Sequence, residues 1–211
     1  MALTLSFESH PLNSVISGHS TQGDPSPYYA VYTTSSFTKQ STTFSAISPP
    51  SVIAKIEWNS FSPDGIIMDG RTRLLDEVVE RGGALGRTIR KFTLPDGAKY
   101  KWKSYSSRSL VLLDMYGTTI ARSHRAKSGS FGSVKRDMTL VIESPGLAFL
   151  DLIVLSFIVA EHATRQRRRQ SNHVDHMNTM NNMNTMNNMN TINNINAINN
   201  MNTVSNMSMG F

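Results

Sequence analysis

The sequence predicts a mainly β domain of the α+β class, an antiparallel β-barrel around a C-terminal hydrophobic helix, followed by a disordered tail. Nine short segments between residues 3 and 142 are rich in β-branched and aromatic residues and are bounded by Gly, Pro, Asp, Asn or Ser. One later segment is apolar on nearly all sides, as expected of a helix enclosed by protein. The last segment is repetitive and almost uncharged. We therefore predict a barrel domain at residues 1–170 and a low-complexity tail at 171–211.

The candidate strands follow one another at short intervals separated by turn residues, which is typical of a β-barrel or sandwich. Two long segments between them, residues 9–27 and 35–51, are rich in Ser, Thr and Pro, and we interpret them as loops. The segment Arg71–Glu80 fits either a helix or a strand and turn. The nine predicted strands are Leu3–Phe7, Tyr28–Thr34, Val52–Trp58, Gly65–Met68, Arg87–Leu94, Ala98–Tyr105, Leu110–Met115, Thr118–Ser123 and Met138–Ile142.

One hairpin can be predicted in register. The sequence Leu94-Pro95-Asp96-Gly97 is typical of a type I turn with Gly97 at positive φ, which would pair Leu94 with Ala98. Phe92 would then lie opposite Tyr100, and Arg90 opposite Trp102, so that the apolar side chains share one face. A two-residue loop would mix polar and apolar side chains on each face, so the bulged register is preferred.

The opposite face of this hairpin is basic and is the candidate anion-binding site. Lys91 lies directly across from Lys101, although like charges in opposed positions destabilise a sheet. An anionic ligand is one reason for this arrangement, and a solvated surface with splayed lysines is the other. The candidate anion-binding residues are Lys91, Lys99, Lys101 and Lys103.

The hydrophobic helix is predicted at about residues 145–163. Ser144 suits an N-cap and Pro145 the first helical position, and a cluster of arginines at 165–169 follows the last turn. The apolar run Leu147–Ala160 is shorter than the roughly 20 residues that cross a bilayer, so we do not expect a transmembrane span. Asp151 would lie near the start of this helix, as a cap or in a salt bridge at the barrel rim.

The tail contains 15 Asn and 8 of the 12 Met residues, and an apolar residue recurs there at every third position. A period of three slips about 60° per repeat around a helix and builds no apolar stripe, and it does not match a strand either. The tail is either a disordered short repeat or an Asn-rich segment that self-associates.

Composition limits the function classes. All 21 Lys and Arg residues and all but one of the 15 acidic residues precede residue 171, which gives this segment a formal charge of +7. The chain has no cysteine, and its start lacks the order of a signal peptide, so we expect an intracellular, most simply cytoplasmic, protein. The Arg165–Arg169 cluster would also fit a nuclear address. We find no catalytic motif, metal-ligand pattern or cofactor-binding motif and expect a protein that is not an enzyme.

Three elements carry a resemblance to a known family: the strand Ile53–Trp58, the strand Tyr100–Lys103 and the helix from Leu147 to the arginine cluster. Their order and spacing resemble the fungal domain-of-unknown-function family 6593 over roughly residues 3–168. That family is similar in pattern to the tubby and LURP-one-like barrels, in which strands wrap a central hydrophobic helix. The resemblance implies this architecture and no established activity. Some tubby-like proteins bind phosphoinositides, but none of their binding motifs can be placed on this sequence.

Two functions remain as hypotheses. The first is a binding or scaffold domain whose basic sheet face docks on anionic phospholipid headgroups. The second is a module that binds nucleic acid through the same face, with Tyr100, Trp102 or Tyr105 stacking on bases. A protein-interaction domain carrying a self-associating Asn-rich tail is a further alternative.

Overall fold

The computed structural model describes residues 2–8, 10–19, 25–36, 39–82, 88–94, 96–106, 109–125 and 137–208. This part of the chain forms thirteen β-strands, a short helix α1 at Leu75–Val78, a 3-10 segment at Ser144–Phe149 and a long helix α2 at Leu150–Ser208. The strands are β1 Leu3–Phe7, β2 Ser14–His19, β3 Ser26–Ser35, β4 Lys39–Ala46, β5 Ser51–Asn59, β6 Gly65–Met68, β7 Arg71–Leu74, β8 Glu80–Arg81, β9 Thr88–Thr93, β10 Lys99–Ser106, β11 Ser109–Leu113, β12 Thr119–His124 and β13 Met138–Ile142.

All thirteen strands belong to one sheet, in the order β7-β6-β5-β4-β3-β2-β1-β13-β12-β11-β10-β9-β8, and every ladder is antiparallel. The sheet is a meander in which β1 and β13 meet at the centre. No ladder joins β7 to β8 in the described residues, so the closure into a barrel stays a prediction. The mainly β, antiparallel class is confirmed.

The sheet packs around the first part of α2. The helical residues 153–160 are all buried, on every side of the helix axis, which requires neighbours in all directions. Phe7 of β1 and Trp102 of β10 both contact Phe157, with ring centroids 5.5 Å away in each case, and Trp58 of β5 stacks on His162 at 3.9 Å. Because these strands are spread across the sheet, the sheet must curve around the helix.

The same helix has the length and composition of a membrane span. Over Ser144–Ser171 its most apolar window has a mean hydropathy of 1.8, and 67% of that window is buried inside the protein. A helix at the core of a domain meets the same criteria as a membrane span, so this finding is weak evidence for a span. Packing inside the sheet accounts for the apolar composition.

All nine predicted strands are present, but the two predicted loops were wrong. Residues 9–27 contain β2, and residues 35–51 contain β4, which fill the central sheet between β1 and β5. Their inward positions alternate as in any strand, with Ile16 and Phe44 fully buried. Thr42 is also buried, and its hydroxyl accepts a hydrogen bond from the indole N–H of Trp58 at 2.8 Å. The Ser and Thr content of these segments predicted loops, but pairing with neighbouring strands makes both segments β-strands.

The ambiguous segment 71–80 contains β7, α1 and the first residue of β8, and it connects the two edges of the sheet. Leu75 and Val79 are fully buried there. Arg90 of β9, also buried, donates to the Asp76 carboxylate at 2.8 Å and to the carbonyl oxygen of Val79 at 3.3 Å. Burial lowers the pKa of Arg90, and the hydrogen bond to Asp76 opposes that shift. This ion pair ties β9 to the connection between the two edges.

The start of the hydrophobic helix differs from the prediction. The first turns are a 3-10 segment whose N-cap residue is Glu143 and not Ser144, and the Glu143 side chain makes no capping hydrogen bond. Pro145 lies within the first two positions, where a missing N–H leaves no bond unmade. Asp151 lies in the first turn of α2, where its Oδ1 accepts a hydrogen bond from the Tyr29 hydroxyl at 2.6 Å, and it forms no salt bridge with any residue that the structure describes.

The tail also differs from the prediction of disorder, because α2 continues to Ser208. The chain divides into two compact units, the first ending at Thr164 and the second beginning at Arg165. In the second unit the described Met and Ile side chains from Met177 to Ile192 are 51–63% exposed. The period-three pattern therefore gives no buried stripe, as its drift around the axis requires. Hydrogen bonds within the helix, such as that from Thr185 to the carbonyl oxygen of Asn181, are local.

A candidate anion-binding face on the β9–β10 hairpin

The hairpin that carries the four lysines adopts the predicted register. Phe92 pairs with Tyr100, Arg90 with Trp102, and Lys91 with Lys101. At the turn, the backbone N–H of Leu94 donates to the carbonyl oxygen of Ala98 at 2.9 Å. Gly97 has a φ of +85°, a conformation that L side chains rarely adopt, and this residue supplies the bulge that sets the register.

The two faces of the hairpin separate as the alternation predicted. Arg90, Phe92, Leu94 and Trp102 are buried on the side of the core. The candidate lysines lie on the outer face, where Lys91 and Lys99 are exposed and Lys101 and Lys103 are half-buried. The spacing of Lys99, Lys101 and Lys103 along β10 places their Cα atoms over about 13 Å. The structure therefore brings the four predicted side chains together on one surface.

Carboxylates are near this face but are not paired with its lysines. Glu80 lies opposite Lys91 across the β8–β9 ladder, and Asp114 follows β11. Within the described part of the chain, no carboxylate oxygen lies within 4.0 Å of the Nζ atom of Lys91, Lys99, Lys101 or Lys103. By contrast, Lys39 and Lys55 both pair with Glu57, at 2.9 and 3.9 Å. The hairpin lysines are therefore the ammonium groups available to an external anion on this surface.

A surface pocket of about 300 Å³ lies on this face. Three of the four lysines line it together with two carboxylates, so its local charge is only weakly positive. Thr93, Met115 and two aromatic residues form the remainder, with the rings of Phe92 and Tyr100 stacked at a centroid distance of 5.4 Å. A single compact anion would meet both signs of charge here. The lining residues are Glu80, Lys91, Phe92, Thr93, Lys99, Tyr100, Lys101, Asp114 and Met115.

The neighbouring turn between β11 and β12 is held by Asp114. Its Oδ1 accepts hydrogen bonds from the backbone N–H groups of Tyr116, at 2.9 Å, and Thr118, at 2.8 Å. Partial desolvation acts to raise the pKa of this carboxyl, but hydrogen bonds from Thr118, Tyr116 and Gly117 together lower it. Gly117 has a φ of +89°, which closes the turn. Met115 and Tyr116 are thereby presented at the tip.

The basic surface extends beyond the hairpin, which sequence reasoning missed. Lys103 lies opposite Val111 of β11, which in turn lies opposite Arg122 of β12. The Arg122 guanidinium stands 5.4 Å from the ring centroid of Tyr105, within the range of a cation–π contact. Tyr105 is exposed, whereas Trp102 is fully buried, so of these two aromatic residues only Tyr105 is accessible on this surface.

A second concave region lies where α2 begins. Two surface pockets, of about 530 and 420 Å³, share Ser51, Ile53 and Asp151. The Tyr29 hydroxyl that donates to Asp151 is buried, and burial, this hydrogen bond and the charge of Asp151 raise the pKa of Tyr29. Among the residues that the structure describes, no group of three His, Cys, Asp or Glu side chains is placed to hold a metal ion. We find here a structural hydrogen bond and no assembled reactive group.

Comparison with known protein families identifies a family for this domain. The model of a family of unknown function, DUF6593, matches residues 9–166, which contain twelve of the thirteen strands and the buried part of α2. No curated protein and no solved structure matches the chain. The matched segment covers the candidate anion-binding face and leaves out almost all of the second compact unit. This chain therefore belongs to DUF6593, a family of unknown function.

Proposed function

We propose that this domain is a non-enzymatic binding module that docks on the anionic surface of a membrane through the outer face of the β9–β10 hairpin. One observation carries the proposal: four lysines share this face, two of them directly opposed, and none is paired with a carboxylate in the described residues. Opposed like charges destabilise a sheet, and a bound anionic surface would remove that penalty. The cytoplasmic leaflet, which carries anionic lipid, is the proposed location.

The spacing of the charges favours an extended surface over a compact ligand. The lysines of β10 are spread over about 13 Å, a distance that several lipid headgroups span and one phosphate does not. The pocket between them contains Glu80 and Asp114, which oppose the entry of a small multivalent anion. Arg122 adds a further cation on the same side. These features support attraction by a field of headgroups.

The architecture we propose for this module is a barrel similar to the tubby and LURP-one-like folds. The curved sheet around α2 and the short connection α1 between the two edge strands support it. The ion pair between buried Arg90 and partly exposed Asp76 lies at that connection, where a β7–β8 ladder would lie in a closed barrel. A rigid enclosed helix keeps the apolar segment of α2 in the core, so binding would occur at the surface.

The test is sedimentation of the full chain with vesicles that are neutral, rich in phosphatidylserine, or supplemented with phosphoinositide, at low and high salt. We expect pelleting with anionic vesicles only, and release by salt. The double variant K99Q/K101Q should weaken binding roughly 30-fold, at about 1 kcal/mol per lysine. The matched control is K39Q/K55Q, which removes two charges from lysines that are paired with Glu57 elsewhere.

Three results would contradict this function. Equal loss in K99Q/K101Q and K39Q/K55Q would mean that net charge, and not this face, drives binding. Pelleting with neutral vesicles regardless of salt would mean that the apolar segment of α2 enters the bilayer. Absence of pelleting with any vesicle would remove membrane docking altogether.

Nucleic-acid binding is the second candidate, favoured by one observation. Tyr105 is 70% exposed and lies beside Arg122 on the basic side of the sheet, where it could stack on a base. Trp102, which the sequence offered as a stacking residue, is fully buried and hydrogen-bonded inside the core. A Y105A variant that loses binding to single-stranded RNA, with vesicle binding absent in the parent chain, would establish this alternative.

A further inference from the structure

We infer that the tip of the β11–β12 turn, Met115 and Tyr116, is an apolar anchor that enters the boundary between headgroups and acyl chains of the same anionic bilayer. The inference rests on the proposed function, since the lysine face supplies the attraction that brings the turn to the surface. Met115 is 65% exposed and Tyr116 is 86% exposed. Neither belongs to the hydrophobic core, so packing inside the domain does not explain them.

The anchor and the lysine face belong to one surface. Every ladder is antiparallel, so the connections of successive hairpins alternate between the two ends of the sheet. The β9–β10 turn and the β11–β12 turn therefore lie at the same end, separated by one strand pair. Met115 lines the surface pocket together with Lys91, Lys99 and Lys101. A bilayer that meets these lysines would also meet the tip of the turn.

The turn is already fixed in the shape that presents both side chains. Asp114 Oδ1 holds the N–H groups of Tyr116 and Thr118, and the N–H of Gly117 donates to the carbonyl oxygen of Asp114 at 3.3 Å. Because the turn is preorganised, insertion into the bilayer would cost little conformational entropy of its backbone.

The chemistry of the two side chains fits a lipid boundary better than a nucleic acid. A methionine side chain is apolar and has no hydrogen-bond donor, so its transfer from water to a lipid boundary is favourable. Tyrosine has an apolar ring and a polar hydroxyl and is enriched at membrane–water interfaces. A base-stacking site would need an exposed ring beside the phosphate-binding cations, and that description fits Tyr105 rather than Met115.

The experiment uses Tyr116→Trp in the full chain with phosphatidylserine vesicles that contain brominated acyl chains. Both native tryptophans, Trp58 and Trp102, are buried and give a constant background. We expect the emission of the introduced indole to shift to the blue and to be quenched by bromine on binding. The matched control is Phe61→Trp, because Phe61 is 93% exposed in the β5–β6 connection at the opposite end of the sheet. Its emission should not change.

A second variant measures the affinity. M115A/Y116A should bind the same vesicles roughly ten-fold more weakly and keep its release by salt, because the lysines remain. Circular dichroism would confirm that M115A/Y116A is folded, as expected for substitutions at exposed positions. The anchor would be overturned, and the lysine face left intact, if wild type bound the vesicles but two results failed. These are quenching of the indole in Tyr116→Trp and a loss of affinity in M115A/Y116A. Failure of wild type to bind, or quenching by single-stranded RNA alone, would overturn both.

Discussion

The indole N–H of Trp102 donates a hydrogen bond to the hydroxyl oxygen of Ser156 at 3.0 Å, which links β10 to the enclosed helix α2 through the apolar core. Both side chains are fully buried. Ser156 in turn donates to the carbonyl oxygen of Ile153 at 3.0 Å, so its hydroxyl hydrogen is directed to the helix and its lone pair to Trp102. This bond fixes the rotation of α2 relative to the strand that carries the candidate lysines.

Replacing Ser156 with alanine should lower the free energy of unfolding by about 1–3 kcal/mol, because the buried indole N–H would lose its partner. Urea denaturation followed by fluorescence measures the effect. Ser171→Ala makes the same chemical change at an exposed position of the same helix and should stay within about 0.5 kcal/mol of wild type. A loss of similar size in both variants would show that the helix, and not the Trp102 contact, is affected.

Much of this fold can be predicted from local pattern, and the β9–β10 hairpin shows why. Gly97 at positive φ sets the bulge, and alternation along the strands then fixes which residues are buried. The strands β2 and β4 could not be predicted in this way. Their Ser and Thr residues become strand positions through pairing with the neighbouring strands and through contacts such as the hydrogen bond that Thr42 accepts from the N–H of Trp58.

The candidate site was likewise predicted in part. The lysine face follows from alternation, but the turn beside it was missed because Met115 was assigned to the end of a strand. The available signal was Asp114 three residues before Gly117, a pair that closes the turn through side-chain and backbone hydrogen bonds. The Arg122 and Tyr105 contact depends on the pairing of three strands, which a single sequence does not reveal.

Relief of the lysine repulsion should stabilise the free domain. Lys101→Glu places a carboxylate opposite Lys91, and we expect the free energy of unfolding to rise by roughly 0.2–1 kcal/mol at low salt. The gain should shrink in 1 M salt because exposed charges are screened. Lys99→Glu is the control, since Lys99 lies opposite Thr93 and gains no ion pair there. A destabilised K101E variant with unchanged K99E would contradict the proposed repulsion.

Alkaline pH should destabilise the protein through Tyr29. Burial, followed by the hydrogen bond to Asp151 and its charge, raises the pKa of this phenol above its ordinary value of 10.0. The unfolded chain therefore loses this proton above pH 10 while the folded chain keeps it, so the stability present below pH 10 declines as the pH rises. The decline is about 1.4 kcal/mol per pH unit for one proton.

Urea denaturation between pH 9 and pH 11 tests this dependence. Tyr29→Phe removes the hydrogen bond to Asp151, so this variant should be less stable than wild type at pH 8. Its free energy of unfolding should also decline less steeply above pH 10. Tyr32→Phe removes a phenol from an exposed position of the same strand and controls for the substitution itself. Equal slopes for wild type and Tyr29→Phe would show that Tyr29 ionises alike in both states.

Removal of residues 171–211 should leave the stability of the remaining chain unchanged within about 0.5 kcal/mol. The described methionines of that segment are about half exposed, so they bury little apolar surface that truncation could expose. The helical signal at 222 nm should fall in proportion to the helical residues that the truncation removes, because α2 continues to Ser208. Sedimentation velocity compares the two chains for self-association, which the Asn-rich repeat predicts only for the full length. If the truncated chain unfolds at a clearly lower urea concentration, the segment stabilises the domain. If the truncated and full-length chains self-associate to the same extent, the segment has no role in self-association.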